Sequence, residues 1–595
     1  MLYKRDGFAS LWDFSPTNDD CKVKSIMNRY KKEFTEEISN AIRIDVAEVA
    51  KLVKTPEAGR GDLALPCFPF AKQLKQNPAQ IAVDLAARFT DNPMFEKVVA
   101  EGPYLNATIS ASHIIANLIP QIRNADAHFA TSDSGYGQTV VIDFSSPNIA
   151  KPLGFHHLRS TMIGNALALI HKALGYTVKR INFLGDWGKT FGLLAEAFDR
   201  VGDEERLNRE GIAYLLELYV EANKLKESDP GFDEAARQMF VKQEQGDDHA
   251  MALWELFRQI SLKEFRRIYH RLEVEFDFFE GESHYRDGMD AVIDEIHRTA
   301  GTREDQGALV VDMPYADDEP PMMLRKSDGA TLYATRDVAA AKDRHERFGF
   351  AKSLYVVGTE QKRHFEQLKR ALAAMGCDWQ EKMTHVNFGR VHGMSTRKGT
   401  VVFLEDVLNE ARDRAIEKMS EDSTDRNIDI KAVAEEVGIG GIVFGDLKNL
   451  RASDYNFDWD EILNTKGFTG ICVQYAHARC CSILRKGGGA PEVGKADLSL
   501  LTAPEEATLA KEIGRIPQAV EIAAAELEPS RLARAVYEAA RAWNRYQQAG
   551  NNDKSLRILV DDEKIKKSRL ALVDATRIAL ERGLTLLGVP APDAM

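Results

Sequence analysis

Residues 139–161 read TVVIDFSSPNIAKPLGFHHLRST. The stretch opens on an apolar run, TVVIDF, crosses a polar loop, and leads into NALALIHKALG (165–175), whose apolar residues fall at helical spacing. Strand, polar loop and helix in that order is how α/β folds hold a nucleotide, at the loop and at the helix's positive N-terminus. A second strand-like run, TVKRINFL (177–184), completes one βαβ unit of a parallel sheet. The loop carries Lys151, His156, His157 and Arg159. Ammonium and imidazole N–H groups there suit a polyphosphate, because they neutralise charge that builds on a transferring phosphoryl group. A solvated loop with a histidine capping its own helix is the plainer alternative.

Outward from this unit the chain divides by pattern. Residues 1–27 form an extension, and 28–125 read as an α/β module with amphipathic helices RYKKEFTEEISNAI and PAQIAVDLAARF and a strand and turn at VVAEGPYLNATIS. DAHFATSDSGYGQ is a linker rich in small and polar residues. The sheet unit then spans 139–410, split by a charged helical insertion at about 195–305 that contains EGESHYRDG. After the insertion, GALVVDMP, KSLYVVG and THVNFGRV are expected to return to the sheet. A helical connection over 411–465 and a helical region over 466–595 follow, closing on the broad apolar face of SRLALVDATRIALERGLTLLG.

Length and composition set limits. At 595 residues the chain exceeds one hydrophobic core, so three or four domains are expected. With 44% hydrophobic and 28% charged residues it has the makeup of an ordinary globular protein. No window approaches the roughly 18 uncharged apolar residues of a membrane span, and the first 27 residues lack the apolar stretch of a secretory signal, so a cytoplasmic location is the default. Six cysteines, at 21, 67, 377, 472, 480 and 481, show neither a C-x-x-C pair nor a partner histidine spacing, so no disulfide framework and no metal site are expected. The net charge of -13 gives no overall basic footprint, so any nucleic-acid surface has to be a local patch.

A second loop, HGMSTRKGTVVF (392–403), sets Ser395, Thr396, Arg397 and Lys398 between two glycines, which suits a loop folding over phosphates. An exposed basic turn is its plainer reading. Two such loops at opposite ends of a split parallel sheet are a far rarer coincidence than either alone.

Together these loops resemble the HIGH and KMSKS signatures of class I aminoacyl-tRNA synthetases. GDLALP, SSPNIAKP, LGDWGKTFG, KSDGATLYATRDVAAA, HVNFGRVHGMSTRKGTVVFL, VQYAHARCCSIL and the closing helix resemble, in order, the arginyl-tRNA synthetase family from about residue 28 to 595. The resemblance implies an α/β fold: a class I Rossmann-type parallel-sheet catalytic domain with a helical insertion, an N-terminal α/β module recognising the tRNA D-loop, and a C-terminal all-α anticodon-binding domain. It implies an arginine–tRNA ligase that uses ATP with Mg2+, makes arginyl-adenylate, and passes arginine to the 3'-terminal adenosine of tRNA(Arg). It also implies a monomer and bound tRNA before arginine is activated; that no membrane is involved follows from the hydropathy above.

By family matching, Lys151, His156, His157, Arg397 and Lys398 are the catalytic candidates, and Lys151, Gly154, His157, Met394 and Ser395 the ATP-binding ones. Lys151 is taken to supply the charge missing at Thr396. Glu282, Tyr333 and Asp337 match positions around the substrate guanidinium, which pairs bidentately with carboxylates. Asn148 and Gln361 match positions at its α-ammonium, with Asp143 where glutamate is usual. Glu101, Tyr104 and Asn106, then Gln474, Tyr475, Arg479 and the terminal Met595, are the tRNA contacts, since single-stranded bases are read by aromatic stacking and hydrogen bonds. The first signature departs from the family pattern. After Lys-Pro and one further residue the family has His, a variable residue, Gly and His; here Gly154, Phe155, His156 and His157 stand in those places. That change raises the alternative of a non-catalytic tRNA-binding relative; a class I synthetase for another amino acid is a separate alternative, against which the two acids and the tyrosine at Glu282, Asp337 and Tyr333 weigh.

Overall fold

The structure, a computed structural model, describes residues 26–595 except 55, 58, 287, 316–318, 326–332, 394–401 and 423–428. Its first sheet has strands β1 (Leu63–Pro66), β2 (Phe95–Glu101) and β3 (Tyr104–Ile109) in the antiparallel order β1-β3-β2. Gly102, at φ +56°, makes the β2–β3 turn. Helices Ile26–Ile42, Pro78–Ala86 and Ala111–Ala125 cover it, the last two capped by Asn77 and Ser110, and Phe34, Leu65, Ile81, Leu105 and Leu118 lie in the core between. A buried ion pair, Arg123 to Asp574 at 2.7 Å, ties this module to the C-terminal helices.

The parallel sheet is built from β4 (Thr139–Asp143), β5 (Thr177–Leu184) and β6 (Phe278–Gly281), and further along the chain from Lys352–Tyr355 and Met383–His385. Helix α1 (His156–Ala173) follows β4 and is buried on nearly every side, as expected for a helix packed into a larger α/β body. Helices Lys189–Val201, Glu204–Glu210, Ile212–Ser228, Phe232–Glu244 and Asp248–Arg271 fill the gap between β5 and β6 around their own core of Phe191, Leu215, Phe232 and Phe257. The sequence reading therefore needs one correction here. Its insertion hides β6, which pairs in parallel with β5 from Ile181↔Phe278 to Leu184↔Gly281.

GALVVDMP needs a second correction. Thr302–Asp305 (β7), its own strand Ala308–Val311 (β8) and Met323–Arg325 (β9) form a separate three-stranded antiparallel sheet. Helix α2 (Tyr333–Phe348) leads from there to β10 (Lys352–Tyr355) and β11 (Met383–His385), which do belong to the parallel sheet. The order is β11-β10-β4-β5-β6, so chain direction across the sheet reverses at β4. Such a switch point opens a crevice beyond the carboxyl ends of the strands. Short strands β12 (Val391–His392) and β13 (Tyr455–Asn456) pair alongside.

The rest is helical: α3 (Ile430–Leu447), α4 (Gly470–Gly487), α5 (Ser530–Asn552) and α6 (Glu563–Leu586) are its long members after residue 428. α3 and α4 approach closely because both carry glycine at the crossing; a Cβ on Gly470 would lie 2.6 Å from the Gly440 carbonyl oxygen. Among the described residues no helix is long and apolar enough to cross a membrane.

Candidate active site and tRNA-facing surfaces

The loop after β4 is held in a costly shape. Ser145, Ser146 and Ala150 have φ of +73°, +47° and +63°, the left-handed region, which costs a non-glycine residue on the order of 1–2 kcal/mol. Buried hydrogen bonds over-determine it. The Ser145 N–H donates to Ser160 Oγ at 2.9 Å, Thr161 Oγ1 donates to Ser145 Oγ at 2.8 Å, and the Ala150 N–H donates to Ser261 Oγ at 2.8 Å. α1 and the last insertion helix thus fix this backbone, and strain kept in place by its surroundings is characteristic of ligand clamps. Asn148 stands exposed at its tip beside Gly185, where a Cβ would come 1.9 Å from Asn148 Oδ1.

The first signature meets the segment Val402–Leu404 through the backbone. The Phe155 N–H donates to the Val402 carbonyl at 2.8 Å and the Leu404 N–H to the Leu153 carbonyl at 2.8 Å, so Gly154 bridges Phe403. His157 turns back on this corner, its Nδ1 3.1 Å from the Gly154 nitrogen. Burial pushes His157 down to about 3, aided by the neighbouring His156, so at neutral pH it is a hydrogen-bonding group and not a cation. A neutral imidazole still offers one N–H donor and one acceptor nitrogen. His156 is exposed, with its ring 4.0 Å from that of His157. Lys151 Nζ lies 3.9 Å over the ring of Tyr219, on an insertion helix, and hydrogen bonding to Lys151 lowers the Tyr219 hydroxyl's pKa. Met394, Ser395, Arg397 and Lys398 lie outside the described residues, as does the side chain of Tyr333.

The carboxylates gather beyond the strand ends. Glu282 starts the turn after β6, and Asp337 sits near the start of α2. Glu282 Oε2 accepts from Nη1 of Arg336 at 3.2 Å, so the protein's own guanidinium already rests on this carboxylate. Burial pushes Glu282 up to about 7, against the pull of Arg336 and with help from the charges of Asp337 and Asp186. Asp337 Oδ2 lies 2.6 Å from His364 Nε2. Asp143 is fully engaged below: Arg344 Nη1 is 2.9 Å from its Oδ2 and Ser146 Oγ donates to its Oδ1 at 3.0 Å, while burial raises its pKa against the guanidinium. That pairing within the chain leaves Asp143 a supporting residue rather than a ligand for an α-ammonium. Gln361 is exposed at the end of the turn Thr359–Gln361.

Sequence reasoning missed four residues of this site. Asp186, in GDWG, is buried and accepts from the Ser283 N–H at 2.9 Å and Oγ at 2.7 Å, bracing the Glu282 turn. Arg336, Arg344 and Tyr219 hold Glu282, Asp143 and Lys151 in turn. Arg336 lies inside TRD and its position was visible, but its partner was not.

Of the residues expected to meet RNA, some are exposed and others buried. Glu101 and Tyr104 are exposed on the β2–β3 hairpin, Tyr104 edge-on to Phe68 with ring centroids 5.8 Å apart. Asn106 is buried and its amide donates to Glu101 Oε2 at 2.9 Å, which corrects it from contact to support. On α4, Tyr475 and Arg479 are exposed one turn apart, and Arg479 Nη1 donates to the Tyr475 hydroxyl at 3.0 Å. Gln474 is a second correction. It is fully buried, with its amide donating to the carbonyls of Glu436 and Pro590 at 3.1 and 2.9 Å, so it holds helices together. The Met595 side chain packs against the core.

With this geometry in view, three family models match the chain: "Arginyl tRNA synthetase N terminal domain" over 28–109, "tRNA synthetases class I (R), catalytic domain" over 119–459, and "DALR anticodon binding domain" over 473–595. An arginine–tRNA ligase of Lactococcus lactis subsp. lactis is 43% identical over 557 residues, 93% of this chain and 97% of that protein. One from Streptococcus pneumoniae serotype 4 is 43% identical over 572 residues, covering 95% and 100%. The arginyl-tRNA synthetase structure from Plasmodium falciparum superposes with a TM-score of 0.78 at 23% identity, covering 96% of this chain and all of that one, a likeness of fold. That from Thermus thermophilus gives 0.77 at 25% identity, covering 95% and 100%. With one model spanning more than half of the chain and curated relatives matched along nearly their whole length, the chain belongs to the arginyl-tRNA synthetase family of class I aminoacyl-tRNA synthetases.

Proposed function

We propose that the crevice beyond β4, β6 and β10 is where this ligase activates L-arginine with MgATP and transfers it to tRNA(Arg), acting as a cytoplasmic monomer. The observation that carries the reading is a carboxylate, Glu282, already pairing with a guanidinium, that of Arg336, with Asp337 close enough for its charge to be felt. In the first step an oxygen of the arginine carboxylate attacks the α-phosphorus of ATP and pyrophosphate leaves. In the second the 2'-hydroxyl of the terminal adenosine attacks the acyl carbon and AMP leaves. Catalysis of the first step is positioning and charge stabilisation. Lys151 supplies the cation near the first signature, and Arg397 and Lys398 of the second supply others. His157 contributes hydrogen bonding as a neutral imidazole. Asn148 and Gln361, both exposed at the rim, receive the α-ammonium end. Both curated relatives bear the name of a ligase, and the non-catalytic alternative has no such support.

Two tests follow from the geometry. Glu282 has a folded-state pKa raised to about 7, so it is protonated below that pH and cannot pair with an incoming guanidinium. Between pH 8 and pH 6 its ionised fraction falls roughly tenfold, so KM for arginine is expected to rise roughly tenfold over that window and Glu282→Gln to flatten the profile. A profile equally steep in Glu282→Gln removes the residue from the pocket. Separately, Lys151→Ala is expected to cut arginine-dependent pyrophosphate exchange by about 10²-fold, the size of losing one charge-stabilising donor. His156→Gly is expected to stay within about threefold, as for a substitution at an exposed side chain. A drop of about 10²-fold in His156→Gly instead would show that this histidine has taken over phosphate contact.

A further inference from the structure

His477 and Cys481 stand four residues apart on α4, so their side chains share one face, turned from the exposed face of Tyr475 and Arg479. The C-terminal tail lies across that buried face. The Pro592 carbonyl is 3.0 Å from His477 Nδ1. A carbonyl only accepts, so Nδ1 carries the hydrogen and Nε2 presents its lone pair. Nε2 in turn lies 3.7 Å from Cys481 Sγ, and Sγ lies 3.5 Å from Asp593 Oδ1. All three ligand atoms lie within 4.8 Å of one another, the one such group of histidine, cysteine and acid side chains among the described residues.

These are the spacings of metal ligands. A nitrogen at about 2.0 Å and a sulfur at about 2.3 Å from a tetrahedral Zn2+ lie roughly 3.5 Å apart. The histidine is also presented as metal-binding histidines are, with its far nitrogen donating to a backbone carbonyl that fixes the tautomer and ring. Arg485 Nη1 donates to the Asp593 carbonyl at 3.2 Å and steadies the third ligand. His477 and Cys481 are buried and Asp593 is exposed, which gives the ion an entry side and leaves a fourth position for water. We propose that His477, Cys481 and Asp593 bind a divalent transition-metal ion, with Zn2+ the best match to one nitrogen, one sulfur and one oxygen donor, and that the ion clamps the tail onto α4. The sequence expectation of no metal site rested on C-x-x-C and paired-histidine spacings. Here the third ligand comes from the far end of the chain.

The site lies behind the face that bears Tyr475 and Arg479, so a bound ion stiffens the helix that carries both. The test uses the full-length protein, stripped with a chelator, kept reduced and titrated with Co2+ as the probe. A thiolate-to-cobalt charge-transfer absorption saturating at one ion per chain, and displaced by Zn2+, is the expected result. It should vanish in Cys481→Ser and persist in Cys377→Ser. Asp593→Asn changes only an exposed tail residue and keeps the test valid if Cys481→Ser does not fold; it should weaken Co2+ binding at least tenfold. No charge-transfer band at saturating Co2+, or a band of unchanged affinity in Asp593→Asn, overturns the proposal.

Discussion

Asp337→Ala is expected to lower kcat/KM for arginine by about 10²–10³-fold and to leave tRNA(Arg) binding nearly intact. Asp337 is half-buried at the start of α2, its Oδ2 2.6 Å from His364 Nε2, beside Glu282 at the end of β6. Truncating one partner of a hydrogen-bonded, desolvated charge pair costs about 2–5 kcal/mol, and each 1.4 kcal/mol is tenfold. Because Asp337 lies on the sheet side and Tyr475 and Arg479 lie on α4, the loss should fall on arginine alone. Asp337→Asn keeps the shape without the charge and should recover little, because a guanidinium needs an ionised fork to pair with. Undiminished pyrophosphate exchange in Asp337→Ala would remove the residue from the pocket.

Arg159→Leu is expected to destabilise the fold by about 3–5 kcal/mol, the cost of breaking a buried ion pair from one side. Arg159 sits just beyond the signature histidines on α1 and is 2% exposed. Its Nη1 donates to the carbonyls of Gly389 and Ser453 at 2.8 Å each, its Nη2 to that of Leu450 at 3.2 Å, and its Nε is 3.4 Å from Asp446 Oδ1 on α3. One side chain therefore ties the signature helix to the helical region and to the strand leading into the second signature. Burial pushes Asp446 up to about 6 even with Arg159 beside it. A folded-state pKa above the unfolded value of about 3.9 means that the protonated form is favoured in the native state, and that contribution is lost as pH rises through 6. Without Arg159 the pKa rises further, so the deficit of Arg159→Leu should be smaller at pH 5 than at pH 8. A urea midpoint that falls equally at both pH values would show that Asp446 is not the partner that matters.

What could be read from the sequence was whatever is encoded locally. The unit from β4 through α1 to β5 was legible because an apolar β-branched run, a loop of distinctive chemistry and a helical period follow one another within a few dozen residues. The Glu101–Tyr104 hairpin was legible for the same reason. Pairings between distant segments were not. GALVVDMP has the composition of a sheet strand, but which sheet it joins depends on Thr302–Asp305 and Met323–Arg325. β6 is four residues long at a sheet edge and carries no alternation to mark it. Asp143, Glu282 and Gln474 stood where the family places its ligands. What decides their roles are Arg344, Arg336 and the Pro590 carbonyl, each supplied by another part of the chain. His477, Cys481 and Asp593 are brought together in the same way, by the tail folding back on α4.

Arginine-dependent ATP–pyrophosphate exchange on the purified chain, with and without tRNA(Arg), is the decisive measurement of whether this crevice activates arginine. Exchange is expected only when both arginine and tRNA(Arg) are present, with the Gly154-Phe155-His156-His157 order serving as a working first signature. No exchange in either condition, from a chain that still binds tRNA(Arg), would contradict it.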